Sequence, residues 1–311
     1  MRKASLLNVT ILELLIAINR RFSKKTALQI KDNNKFRSIS YIDLGHRTSD
    51  TAYNLKKLGV EKNDRVAILS ENRPEWGIAF FGIISCGGIV VPLDTKLSDT
   101  EIEFILNDSS AKCIFVSNEF LERIIKLKPK LLYLKSIISF DEVSQNEVLL
   151  LKDFKVPEDE IAHRDIYPED TAMIVYTSGT TGVAKGVELT YKNILFEVLA
   201  LHKIITFSPK DNFLSILPLN HMLEITGGFL GPLYVGATIT YADSLKPTTI
   251  LLLMKETKTT VMICVPLILK MFHKQIIKKI EDLPKNRRLI VKTLLFISRF
   301  LLKFNIRVGR L

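Results

Sequence analysis

An α/β fold, with layered parallel-rich sheets flanked by helices, is predicted for this 311-residue chain by two observations. Strand-like and helix-like runs alternate from one end to the other, and βαβ alternation implies parallel strands with helices on their faces. The composition, 47% hydrophobic and 25% charged, is enough for a large buried core in one large domain or two subdomains.

The chain opens with Met1-Arg2-Lys3 and an apolar run to Ile18 that imitates a signal peptide. Glu13 interrupts the run and no small-residue cleavage site follows, so an amphipathic packing helix is expected, with Leu12, Leu15, Ile16 and Ile18 inward and Glu13 and Asn19 on the polar side. Tyr41–Leu58 has helical periodicity. Arg65–Ser70 reads as a strand, Pro74–Cys86 as a helix started by proline, and Gly88–Leu93 as a second strand. A helix at Glu101–Leu106, a strand at Lys112–Ser117, a helix at Glu119–Leu127 and a strand at Ser136–Phe140 continue the alternation.

The polar, weakly periodic stretch Asp141–Asp170 is expected to be a surface connection. After it come a buried strand at Thr171–Tyr176, a glycine-rich loop, and a helix at Leu189–Leu201. Further strands are expected at Asn212–Leu217, Ala237–Tyr241 and Val261–Val265, with helices between. Residues before about 150 are expected to build one sheet layer and those after it another, which gives approximate subdomains 1–150 and 151–311.

Charge and cysteine content narrow the function classes. The net charge of +11 suits anionic partners, but no homeodomain, RRM or zinc-finger pattern is present, so nucleic acid is not an expected partner. Cys86, Cys113 and Cys264 sit in apolar contexts without C-x-x-C spacing and read as reduced core thiols of a cytoplasmic protein. His46, His163, His202, His221 and His273 are scattered, and no protein-ligated metal is expected. No segment reaches the ~18 uncharged apolar residues of a membrane span.

The segment Tyr176-Thr177-Ser178-Gly179-Thr180-Thr181-Gly182-Val183-Ala184-Lys185-Gly186-Val187 carries the chemistry. Gly179, Gly182 and Gly186 let the backbone turn tightly and bring N–H groups to an anion. Thr177, Ser178, Thr180 and Thr181 add neutral donors, and Lys185 adds a point charge suited to polyphosphate. The segment is not a Walker A loop, because Lys185 precedes a glycine and no hydroxyl residue follows it.

In the order TSGTTG-x-x-KG these residues closely resemble the phosphate loop of the adenylate-forming (AMP-binding) superfamily. Ala184 stands where that family usually has proline, which removes some rigidity and no donor. The resemblance covers essentially the whole chain. It includes Asp64–Trp76 and Gly87–Asp94, which read as scaffold, and Thr259–Pro266, which reads as architecture.

Leu217-Pro218-Leu219-Asn220-His221-Met222-Leu223-Glu224, with Gly227-Gly228 and Gly231–Ala237, is most similar to long-chain fatty-acyl-CoA synthetases. The resemblance implies that His221 lines the substrate pocket, although a lone histidine before a helix also serves as a structural or capping residue. It implies a carboxylate attacking the α-phosphate of ATP to give acyl-AMP and pyrophosphate, followed by thioester formation with coenzyme A. Thr177, Ser178, Gly179, Thr180, Thr181, Gly182 and Lys185 would bind the β- and γ-phosphates, with Lys185 as the catalytic charge and Mg²⁺ accompanying ATP.

Only the amino-terminal part of the family is matched. No Tyr/Phe-Gly-x-Thr-Glu segment, Thr-Gly-Asp segment or terminal-domain lysine is found. The expectation is therefore a partial amino-terminal domain over residues 1–311, with the carboxy-terminal lid domain absent and the adenine pocket incomplete. A carboxy-terminal partner chain would complete it.

Pro284–Arg307 forms a basic amphipathic helix, with Arg288, Lys292, Arg299 and Lys303 opposite Ile290, Leu294, Ile297, Leu301 and Phe304. Two readings stand for it: a stripe that packs on protein, and peripheral contact with an anionic membrane. For the chain as a whole, a non-catalytic nucleotide-binding remnant and adenylation of a different carboxylic acid stand beside fatty-acid activation.

Overall fold

The computed structural model describes residues 11–156, 166–177 and 184–302. Helix α1 (Ile11–Arg21) buries Leu12 and Leu15, as its apolar spacing requires. Asn19 differs from expectation: it lies half-buried, with its side-chain amide against Gly45.

Strands β1 (Thr26–Asp32) and β2 (Lys35–Ser40) then form an antiparallel hairpin that has no counterpart among the predicted elements. Asn33 and Asn34 close it with positive φ of 46° and 65°. Asparagine tolerates this region, and two such residues give a turn whose twist matches the strands.

Helix α2 (Tyr41–Lys57) is capped by the Ser40 hydroxyl, which accepts from the Asp43 N–H. Strand β3 (Arg65–Leu69), helix α3 (Pro74–Ser85) and strand β4 (Ile89–Pro92) follow. Every residue of α3 is buried, because it packs on strands of both sheets. Helix α4 (Asp99–Asp108) begins with a Ser98/Glu101 capping box, and β5 (Cys113–Val116), α5 (Asn118–Leu127) and β6 (Ser136–Ser139) complete the alternation.

Within the predicted surface connection lies one further strand, β7 (Val148–Leu150), paired in parallel with β6. Its apolar run, Val148–Leu151, is only four residues long within a polar stretch, too short to mark it as a strand. Strands β8 (Thr171–Thr177) and β9 (Lys185–Thr190) precede helix α6 (Tyr191–Ile204). The glycine-rich loop therefore joins two antiparallel strands, which corrects the strand–loop–helix expectation. The helix starts at Tyr191, two residues later than predicted, because Thr190 and Asn193 form a reciprocal cap that ends β9. Most of β9 is exposed, so it offers no buried alternate face to mark it as a strand.

The remaining elements are β10 (Asn212–Ser215), a π-helical turn at Glu224–Leu230, α7 (Gly231–Val235), β11 (Thr238–Tyr241), α8 (Pro247–Thr257), β12 (Val261–Met262), α9 (Pro266–Glu281) and α10 (Lys285–Leu302). The strands make a seven-stranded sheet, β7-β6-β5-β3-β4-β8-β9, and a five-stranded sheet, β12-β10-β11-β1-β2. The layers do not divide near residue 150: β1 and β2 join the second sheet through Leu28 opposite Ile239, and β8 joins the first through Val90 opposite Met173. Long-range parallel pairing decides this membership, and a local pattern does not encode it.

Between the sheets, Phe229 of the π-helical turn packs edge-on to Trp76 and Phe80 and tilted on Phe81, with ring centroids 5.4–5.7 Å apart. Cys86 and Cys113 are buried, and burial pushes the Cys113 thiol up to about 11. Cys264 is only half-buried, because β12 ends two residues before it at the rim of the sheet.

Candidate functional site

The hairpin β8–β9 holds the two described ends of the phosphate-loop sequence side by side. Thr177 pairs with Lys185, Tyr176 with Gly186 and Val175 with Val187. Both Thr177 and Lys185 are exposed at the mouth of the hairpin. Ser178, Gly179, Thr180, Thr181 and Gly182 lie outside the described residues.

Gly186 is glycine for a local reason: a β-carbon there would sit 2.9 Å from Ile174 and 3.2 Å from the Tyr176 ring. Those side chains cross the strand at that point. The Tyr176 hydroxyl donates to Asp108 Oδ2 at 2.5 Å, anchoring the hairpin to α4. Burial and the adjacent Asp108 carboxylate both disfavour ionisation of that phenol.

Strand register brings His221 toward the same place. Val90 of β4 pairs with Met173 of β8, and four residues further along each chain stand Asp94 and Thr177. Parallel neighbours lie about 4.8 Å apart, so Asp94 follows β4 at the level where Thr177 ends β8. His221 Nε2 is 3.6 Å from Asp94 Oδ2, with the imidazole 59% exposed. Phosphate-loop mouth, carboxylate and imidazole thus share the carboxyl edge of one sheet, where open α/β sheets bind ligands.

Asn72 fixes the segment that carries His221. Its Nδ2 donates to Ser215 Oγ at 3.0 Å and to Leu217 O at 2.6 Å, while its Oδ1 accepts from Leu219 N–H at 3.0 Å. One side chain from the end of β3 therefore clamps the chain leaving β10. Sequence reading gave the Asp64–Trp76 run a scaffold role only, and nothing local signals a partner more than 140 positions away.

Beside it, Arg73 binds Asp141 through two hydrogen bonds of 2.8 and 3.0 Å and also contacts Glu75 and Glu71. Glu75 is buried and shared with Arg37. Burial pushes its carboxyl upward, but the Arg37 and Arg73 guanidiniums outweigh that and hold it below the usual range.

Glu224, three residues beyond His221, is wholly buried, and neither carboxyl oxygen has hydrogen-bond geometry with any group of the described residues. Burial raises it to about 8, and the nearby Ser215 hydroxyl offsets only part of that. Among the described residues no group of three or more His, Cys, Asp and Glu side chains could hold a metal ion.

Comparison with known proteins identifies the family. A family model described as AMP-binding enzyme matches residues 17–296. The chain is 32% identical over 230 residues to a fatty acyl-CoA synthetase of Dictyostelium discoideum, covering 68% of this chain and 33% of that protein. It is 30% identical over 273 residues to a long-chain-fatty-acid–CoA ligase of Homo sapiens, covering 83% of this chain and 41% of that protein. The chain thus spans between a third and about two-fifths of these relatives' lengths.

Among solved structures, an anthranilate CoA ligase in complex with anthranoyl-AMP superposes with a TM-score of 0.76 at 26% identity, covering 84% of this chain and 51% of that one. With most of its length matched by the family model and two-sheet cores of the same fold, this chain belongs to the AMP-binding enzyme family.

Proposed function

We propose that the chain is the phosphate-gripping and acyl-entry portion of an AMP-forming ligase that activates a long-chain fatty acid. In this reading the fatty carboxylate attacks the α-phosphorus of ATP, pyrophosphate leaves, and the sulfur of coenzyme A then displaces AMP to give the acyl-CoA. Thr177 and the loop residues Ser178, Gly179, Thr180, Thr181 and Gly182 donate to the β- and γ-phosphates. Lys185 balances charge that develops there, and His221 borders the acid.

The observation that carries the reading is the Val90–Met173 register, which sets the ends of β4 and β8 side by side, with His221 Nε2 3.6 Å from Asp94 just beyond β4. The names of the relatives support the fatty acid and CoA as substrates. The anthranoyl-AMP held by the anthranilate ligase supports the adenylate. The described residues offer no ligand cluster for Mg²⁺, so no step is assigned through it. Residues 1–311 would form part of an amino-terminal domain in the cytoplasm.

The test is ATP–pyrophosphate exchange stimulated by fatty acids, measured on this chain alone and with a carboxy-terminal polypeptide of a relative supplied in trans. Exchange that depends on a long-chain acid supports the reading. No exchange in either case would leave a nucleotide-binding remnant, and exchange only with aromatic acids would move the substrate class.

A peripheral membrane contact joins this reading on a separate observation. Helix α10 exposes Leu289, Ile290, Leu294 and Phe296, the last at 72%, beside Lys285 and Lys292, and α9 adds exposed Leu267 and Leu269. No described helix is long and apolar enough to cross a membrane. Cosedimentation with phosphatidylglycerol vesicles, lost in Leu289→Asp/Phe296→Asp and absent with phosphatidylcholine, is the expected result. Equal binding to both lipids would sink it.

A further inference from the structure

Glu224 is the least accommodated polar group in the core. It is 0% exposed, and the Tyr241 hydroxyl, equally buried, also has no partner. Glu224 opens the one π-helical stretch among the described residues. Such stretches often interrupt helices at functional positions. Its carboxyl lies along its own helix against Gly228, where a β-carbon would fall on it, so the glycine makes the space.

Three connections converge on this acid. Ser215 and Tyr241 stand at the carboxyl ends of β10 and β11. Asn72 ties Ser215 to the chain that leads to His221. The His221 carbonyl accepts from both the Glu224 and Ile225 N–H groups at 3.0 Å, so the first turn of the π-helix and the His221 backbone move together.

We propose that Glu224 is a positioning residue for His221: its uncharged carboxyl, enclosed by the ends of β10 and β11, keeps the His221 turn seated beside Asp94, and losing its proton releases that turn. No compensating charge faces it. From β10 it meets the Ser215 hydroxyl. From β11 it meets Tyr241, whose hydroxyl also feels Glu75 of α3, a second acid. From α6, His202 bonds Gly231 O at the far end of the π-helical turn.

An enclosed carboxylate with no cation and only the Ser215 hydroxyl beside it is strongly disfavoured. The turn, with His221 and Leu223 exposed, is the side on which the enclosure can open. The value to substrate handling rests on the reading that His221 borders the acid; the seating of His221 does not.

The test is NMR of the chain with labelled histidine, titrated from about pH 5 to about pH 9.5, with His221 assigned by its loss in His221→Asn. In the wild type the His221 ring signals are expected to show a step near pH 8, the value to which burial raises Glu224. That step is expected to vanish in Glu224→Gln, and in Glu224→Met if the glutamine variant folds poorly. Its absence in the wild type, or its persistence in either variant, overturns the proposal.

Should neither variant fold, amide exchange at Glu224 and Ile225 in the wild type decides. Acceleration about tenfold beyond the base-catalysed trend above that pH supports the proposal, and its absence overturns it. Since no substrate is present, the step near pH 8 in a chain without acid-dependent exchange activity would retire the functional reading and keep this one.

Discussion

Thr177 and Lys185 face each other as the last registered pair of the β8–β9 hairpin, with both side chains exposed at its mouth. The lysine charge therefore stands one strand spacing from the residue that begins the hydroxyl-rich loop. Lys185→Ala is expected to lower acid-dependent ATP–pyrophosphate exchange roughly 10²–10³-fold, the usual effect of removing one donor aimed at developing charge. Thermal unfolding should be unchanged, because the side chain lies at the surface. Wild-type exchange in the variant would remove Lys185 from the site.

Gly186 admits no side chain without displacing Ile174 or the Tyr176 ring. Gly186→Val should cost about 1–3 kcal/mol by overpacking, read as a shift in the urea midpoint. Because Tyr176 carries the hydrogen bond to Asp108, phenol fluorescence should change with it. An unshifted midpoint would mean the hairpin spreads freely.

Glu224 makes stability fall as pH rises. Its folded-state value, about 8, lies above the ordinary 4.5 of a free glutamate, so between them the folded chain holds a proton that the unfolded chain has lost. Unfolding free energy should decline by about 1.4 kcal/mol per pH unit across that interval and level off above it. Glu224→Gln should flatten the decline in urea titrations at successive pH values. An unchanged slope would place the titrating group elsewhere.

Arg73 works with the opposite sign. Burial favours the neutral acids, yet Arg73 and its neighbours hold Glu75 and Asp141 below their ordinary values of 4.5 and 3.8. The stability they contribute is present above those values and is lost as pH falls through the lower folded-state ones. Arg73→Met should cost about 3–5 kcal/mol at neutral pH, because it leaves buried Glu75 short of a partner, and acid unfolding should lose part of its steepness. A loss under about 1 kcal/mol would mean that Arg37 alone satisfies Glu75.

Much of the scaffold was legible as local pattern. The apolar runs at Arg65–Leu69 and Cys113–Val116 are covered on both faces and so are continuous, and Pro74 marks the start of α3. The phosphate-loop sequence was legible because tight turns and anion donors demand particular residue types at fixed spacing. Elements whose stability comes from distant partners were not. The β1–β2 hairpin rests on pairing with β11, β7 on pairing with β6, and β9 on pairing with β8 across exposed faces. The meeting of distant side chains was not foreseeable: Asp94 against His221, and Asn72 against Ser215 and Leu217, join segments more than 120 positions apart.

By itself, then, the sequence determined the α/β class and the order of most strands and helices, and it displayed the glycine- and hydroxyl-rich segment between Thr177 and Gly186, since backbone propensity, burial and residue type act over a few neighbouring positions. Only the tertiary structure decided which sheet each strand joins, that the loop closes a hairpin, and that Glu224 is enclosed without a partner. Those outcomes depend on register and desolvation among residues far apart in the chain, and no local pattern carries them.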